Sequence, residues 1–157
     1  MESRLELIRK EITLIMNGPQ DKICLLSAHI YGVSKFCTLL ALKRNLDTEL
    51  AATCGMLHDI YYMIDISGKD HAEKGAILAK GILNKIGQYS DKEIELITTA
   101  IANHGKKLFV DGVYDELLKD ADVLDHCLTD NSAPIAEWEV KRYNNLMKEL
   151  GIEKKYG

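Results

Sequence analysis

Helical periodicity runs along almost the whole chain, and only two prolines, Pro19 and Pro134, interrupt it. Leu5, Ile8, Ile12, Leu14, Ile15 and Met16 recur at the three- and four-residue spacing of one helix face. They define a first helix that stops at Asn17-Gly18-Pro19. A second helix runs from about Asp21 to Arg44, with Leu26, Ile30, Val33, Phe36, Cys37 and Leu40 on one side. His29, three positions after Leu26 and four before Val33, points inward on this spacing. Asp47-Thr48-Glu49 reads as the capped start of a third helix, which delivers His58-Asp59 at its carboxyl end. A fourth begins near Asp70 with His71 in its first turn and Ala76, Ile77, Ala79 and Ile82 beyond it. Ser90-Asp91-Lys92-Glu93 starts a fifth that leads to His104-Gly105. Val113 to Leu128 forms a sixth, holding Asp122, and a last helix passes through Trp138, Val140, Tyr143 and Leu146. The apolar run Leu108-Phe109-Val110 precedes Asp111-Gly112, a turn signal, and reads as loop. Without repeats, linkers or low-complexity tracts, the expectation is a single all-α domain over residues 1–157.

At 157 residues the chain is long enough for one continuous core. A net charge of −4 and the lack of any dense Lys/Arg cluster argue against nucleic acid as a partner, since a polyanion requires a basic face. A compact phosphorylated metabolite stays open, because a bound metal supplies local positive charge that a residue count misses. The start Met1-Glu2-Ser3-Arg4-Leu5-Glu6 places acidic residues where a signal peptide needs an apolar segment. No apolar run approaches the ~20 residues that cross a bilayer, so no membrane partner is expected. Cys24, Cys37, Cys54 and Cys127 form no CxxC pair and read as buried thiols of a reducing cytoplasm.

The polar residues that break the apolar faces carry the chemistry. His58-Asp59 closes the run Leu50-Ala51-Ala52-Thr53-Cys54-Gly55-Met56-Leu57, and a buried carboxylate beside a buried imidazole is costly unless its charge is compensated. Imidazole nitrogens with carboxylate oxygens suit Zn, Mn, Fe, Co, Ni or Mg better than a thiolate-bound metal. Each candidate has a plainer reading beside this one. His29 alone is a satisfied core histidine, His71 a first-turn surface residue, and His104 a ring placed favourably at a helix carboxyl end. Asp122, at the edge of the stripe Leu117, Ala121 and Leu124, could be solvated like Asp120 and Asp125, and His126 reads as surface.

Taken together, the order His29, His58-Asp59, Asp122 resembles the signature of the HD-domain metal-dependent phosphohydrolase superfamily. Ala51-Ala52-x-x-Gly55-x-Leu57-His58-Asp59-Ile60 looks like the segment leading into that family's HD pair. His71-Ala72-Glu73-Lys74-Gly75-Ala76 resembles its H-x-x-x-G-A element, and Lys119-Asp120-Ala121-Asp122-x-Leu124-Asp125 its D-A-D-x-L-D helix. The resemblance covers residues 21–128, with flanking helices at both ends. It implies an HD-domain bundle of about six to seven helices, small and bacterial in type.

By the same resemblance, His29, His58, Asp59 and Asp122 would hold a first divalent metal. His71 and His104 match the histidines that complete a second site in two-metal branches, such as the small bacterial hydrolases of diadenosine tetraphosphate, with Asp59 as bridge and catalytic residue. The implied activity is hydrolysis of a small phosphorylated, nucleotide-like substrate by metal-activated water, using one or two ions, with a homodimer left open. The chain departs from many relatives at Ile60-Tyr61-Tyr62-Met63-Ile64, where they carry a lysine or other polar group, so substrate contacts from that stretch do not transfer. Tyr61 or Tyr62 stacking on a base, and Lys69, Lys74, Lys106 or Lys107 meeting phosphate, stand against closed-core and solvated-face readings. A non-catalytic ligand- or partner-binding module and a di-iron oxygenase are the competing functions. No Ser-His-Asp arrangement, Walker loop or G-x-G-x-x-G occurs.

Overall fold

Three helix starts carry capping side chains, two of them where the sequence places a helix start, at Asp47 and Ser90. Ser3 Oγ accepts from the Glu6 amide at 3.3 Å, and Asp47 Oδ1 accepts from the Glu49 and Leu50 amides at 2.9 and 3.0 Å. Ser90 and Glu93 form a reciprocal capping box, with the Ser90 amide donating to Glu93 Oε2 at 2.7 Å. The computed structural model describes residues 2–16, 20–130 and 132–153, which form seven α-helices, one 3-10 turn and no strand. The helices are α1 (Arg4–Ile15), α2 (Gln20–Arg44), α3 (Thr48–Leu57), α4 (His71–Ile86), α5 (Asp91–Asn103), α6 (Val113–Thr129) and α7 (Glu137–Leu150). The 3-10 turn, Ile60–Met63, follows the His58-Asp59 pair. The all-α expectation of six to seven helices is met; the stop at Asn17-Gly18-Pro19 lies outside the described residues.

From Leu50 to Leu57 every residue of α3 is buried, and the helix packs against α1, α2, α5 and α6. Its close fit to α2 depends on Gly55, where a Cβ would lie 2.5 Å from the Ser34 Cα. The core is aliphatic: Ile8 and Ile12 from α1, Ile30, Val33 and Leu40 from α2, Ile97 and Ile101 from α5, and Leu117 and Leu124 from α6. At roughly 1.5–3 kcal/mol per fully buried side chain, such residues dominate the drive to this packing.

Two expectations are corrected here. Over Lys22–Arg44, α2 is long and apolar enough to cross a membrane by length and composition. In this fold Ile30, Val33, Cys37, Leu40 and Ala41 of that stretch are fully buried, and the helix packs on α3 and α6. Cys24 is exposed, because it falls outside that buried stripe, whereas Cys37, Cys54 and Cys127 are buried.

Helix α6 differs from an ordinary amphipathic helix. Asp115, Lys119, Asp120, Asp122 and Asp125 are all buried along it. Asp120 and Asp125, expected to be solvated, are enclosed because α6 packs against α2, α3, α5 and α7. Partners offset the desolvation of most of these charges. Asp120 accepts from Arg44 at 2.6 Å and Arg142 at 2.7 Å. Lys119, with no exposed surface, donates to the Phe109 carbonyl at 2.9 Å, Asp111 at 2.5 Å and Glu116 at 2.9 Å, fixing the α5–α6 loop.

Candidate metal centre

The bundle brings His29, His58, Asp59, His71, His104 and Asp122 to one place, although they arise from α2, the end of α3, the start of α4, the end of α5 and the middle of α6. His29 Nε2 and His58 Nε2 lie 3.1 Å apart. Asp59 Oδ2 is 3.5 Å from each of them. Asp122 Oδ1 is 3.4 Å from His29 Nε2 and 3.7 Å from His58 Nε2. On the other side of the same carboxylate, Asp59 Oδ1 is 3.7 Å from His71 Nε2 and 3.3 Å from His104 Nε2, and those nitrogens are 3.3 Å apart.

Backbone geometry produces this convergence. His58 is the C-cap of α3, and Asp59 has already left helical geometry at φ −109° and ψ 18°. Two adjacent side chains that a continuing helix would point about 100° apart can therefore address a common point. His104 likewise caps the end of α5, and His71 opens α4 after Asp70, whose φ of 57° turns the chain sharply.

The other ring nitrogen of each histidine is committed elsewhere. His58 Nδ1 donates to the Gly55 carbonyl at 2.8 Å, His104 Nδ1 to the Ile101 carbonyl at 2.7 Å and His71 Nδ1 to the Gly68 carbonyl at 3.1 Å. A carbonyl can only accept, so in its neutral form each ring keeps its proton on Nδ1 and turns a bare Nε2 lone pair inward. His29 Nδ1 is held by Asp125 Oδ2 at 2.7 Å.

The electrostatics call for a cation. Asp59 Oδ1 and Asp122 Oδ1 are buried and have no hydrogen-bond partner among the described residues, which is costly unless positive charge faces them. Burial pushes His58 down to about 4 and so keeps it neutral. Burial also opposes charge on His29, but the Asp125 and Asp59 carboxylates outweigh it and hold that ring up to about 10. Burial alone would raise both carboxylic acids; the His58, His104 and His29 rings hold Asp59 well below the usual carboxylate range, and Lys107 and His58 do the same for Asp122.

Donor type and spacing fit divalent metal. Bonds of about 2.0–2.2 Å to nitrogen and oxygen leave neighbouring donor atoms roughly 3–3.5 Å apart, close to the separations found here. His29, His58 and Asp59 form one group able to hold an ion, Asp59, His71 and His104 another, and Asp122 joins His58 and His104 in a third.

Three residues near the centre have roles the sequence did not suggest. Lys107, expected on a solvated face, has a side chain only 7% exposed, pairs with Asp122 Oδ2 and donates to the His104 carbonyl at 2.8 Å. Asp125 anchors His29. His126, expected at the surface, is half-exposed, but its Nε2 is 3.3 Å from Asp122 Oδ1. The signal for His126 was its place four residues after Asp122, on the same helix face. Tyr62 rests its ring 4.7 Å from that of His71, whereas Tyr61 sits under the Lys74 amine at 5.2 Å.

Comparison with known proteins agrees with this geometry. The HD domain family matches residues 26–127, and the chain belongs to it. Its fold is also that of a crystal structure of a predicted HD superfamily hydrolase from an uncultured Thermotogales bacterium, with a TM-score of 0.66 and 21% identity over 94% of this chain and 89% of the other. No curated protein matches the chain. HD domains typically bind divalent metals, and this one has the His/Asp clusters to do so.

Proposed function

We propose that the chain is a metal-dependent phosphohydrolase acting on a small phosphorylated, nucleotide-like substrate through metal-activated water. The observation that carries this reading is the division of one carboxylate: Asp59 offers Oδ2 to His29 and His58 and Oδ1 to His71 and His104. His29, His58, Asp59 and Asp122 would hold a first divalent ion, and His71, His104 and Asp59 a second. Mixed nitrogen and oxygen donors suit Fe, Mn, Co, Ni or Zn, with Mg less favoured by so many imidazoles. Bound there, the metal supplies water acidic enough to ionise near neutral pH and charge to neutralise phosphate oxygens.

The surrounding residues hold this arrangement in place. Asp59 is the catalytic carboxylate of the proposal, fixing the spacing between the two halves of the site. Lys107 occupies Asp122 Oδ2 and leaves Oδ1 facing inward. The carbonyls of Gly55, Ile101 and Gly68 fix three imidazole orientations before any ligand arrives, so little ordering remains at the moment of reaction. A non-catalytic module would have no use for two buried carboxylate oxygens without partners.

The test is metal analysis of protein purified without chelator, followed by assay against p-nitrophenyl phosphate and a panel of phosphorylated metabolites. Hydrolysis should require a divalent metal, cease on chelation and return when Mn, Co, Ni, Fe or Mg is restored. Undiminished hydrolysis after rigorous metal removal, or no turnover of any phosphate substrate with any of these metals, would overturn the proposal.

A further inference from the structure

His126 has four relationships that a surface histidine does not need. Its Nε2 lies 3.3 Å from Asp122 Oδ1. Its ring stacks on that of His29, with centroids 5.2 Å apart and planes 10° from parallel. Its Nδ1 is 3.1 Å from Glu139 Oε1, a carboxylate buried on α7. Finally, His29, Asp122 and His126 each offer a ligand atom within 4.8 Å of the others.

The pairing with Glu139 matters most. A carboxylate accepts from Nδ1–H, which leaves the Nε2 lone pair facing Asp122, and it raises the basicity of that nitrogen. His29 has the same arrangement with Asp125. The contact with Asp122 is not a hydrogen bond, because Oδ1 has no hydrogen-bond partner among the described residues. Two lone-pair atoms lie side by side, as donors to a common cation do. Exposure separates His126 from the rest: its side chain is 48% exposed, against 0% for His58 and 3% for His104. It therefore stands at the open side of the centre.

From this geometry we propose that His126 is a fifth donor to the ion held by His29, His58, Asp59 and Asp122, closing that position from the solvent side, with Glu139 as its positioning residue. The inference rests on the four-residue reading of the first site. It also gives α7, which lies beyond the matched family region of residues 26–127, a direct part in the centre.

The experiment is a Co2+ titration of the full chain by competition with a chelator, together with the visible absorption of the Co2+ form, for the parent, His126→Ala, His126→Gln and Glu139→Gln. Circular dichroism confirms that each variant is folded. His126→Ala and His126→Gln should bind Co2+ about tenfold or more weakly and change its absorption bands as one nitrogen donor is lost. Glu139→Gln should weaken binding less, by a factor of up to about ten. Unchanged affinity and spectrum in folded His126→Ala would overturn the inference and leave the four-residue site intact. A parent that binds no Co2+ would overturn both readings.

Discussion

His71 opens α4 and His104 closes α5, yet their Nε2 atoms lie 3.3 Å apart, both within 3.7 Å of Asp59 Oδ1. Each ring is fixed from behind by a carbonyl, so the two lone pairs face one another across a place that positive charge must fill. If that charge is a second metal, His71→Ala or His104→Ala should lower metal content from two ions per chain toward one. Asp59→Ala should lower it further, because that carboxylate serves both halves. Metal analysis of the three variants beside the parent decides this; unchanged content in both histidine variants would leave a single-ion site.

The helices and the inward placement of the candidate residues were legible because they follow local rules. Caps at Asp47 and Ser90 and the stripe in α2 fix helices whose inward faces carry His29 and His58. Apart from Asp122, the buried charges of α6 were not legible. Periodicity assigns an Asp beside a stripe to solvent, and it cannot register a helix covered on nearly all sides. Asp120 is buried because Arg44 and Arg142 arrive from α2 and α7, and Asp125 because His29 does. The partner in each case lies far away in sequence. Lys107 is the same case: only the fold shows that its amine ends on Asp122.

Buried charge at Lys107 leads to a second expectation. Lys107→Met removes the cation from Asp122 Oδ2 and from the His104 carbonyl while keeping the aliphatic bulk. Leaving a buried carboxylate uncompensated costs about 3–5 kcal/mol, so the metal-free variant should unfold at much lower urea than the parent. Bound metal should recover part of that loss, since it returns positive charge to the same carboxylate. Urea unfolding with and without Mn2+ reads both quantities. An equal loss with and without metal would separate Lys107 from the centre.

Stability toward acid should depend on the ion pair that joins Arg4 of α1 to Glu93 of α5. Arg4 donates to Glu93 Oε1 at 2.8 Å, and the Ser90 amide and hydroxyl donate to Oε2. The Arg4 bond, followed by those from Ser90, lowers Glu93 from its ordinary 4.5 to about 2. A carboxylate depressed in the folded state stabilises above its unfolded value, and that contribution disappears as pH falls from about 4.5 to about 2. Glu93→Gln keeps an acceptor for the capping box but loses the charge. It should cost at most about 1 kcal/mol at pH 7, given solvent screening, and almost nothing near pH 2. Urea midpoints at the two pH values test this; an equal deficit at both would place the effect in packing.

One glycine ties helix packing to the metal centre. At Gly32 on α2, a Cβ would lie 2.0 Å from Asp125 Oδ1, far inside contact distance, so the carboxylate has its place only because that position has no side chain. Asp125 in turn holds His29 Nδ1 at 2.7 Å and so aims Nε2 at the centre. Gly32→Ala should therefore push Asp125 aside, cost about 1–3 kcal/mol as overpacking, and weaken metal binding about 10–100-fold through the lost anchor. Gly81→Ala is the matched control: it lies within α4, and a Cβ there meets nothing within 4 Å. That change should stabilise by about 0.5–1 kcal/mol, the ordinary gain of replacing helical glycine, without altering metal affinity. Asp125→Asn separates the two effects, because it retains the volume and loses the charge. It should approach Gly32→Ala in metal affinity and exceed it in stability. If Gly32→Ala and Asp125→Asn both bind metal as tightly as the parent, the anchor on His29 is dispensable, and its orientation comes from packing within α2 and α6 alone.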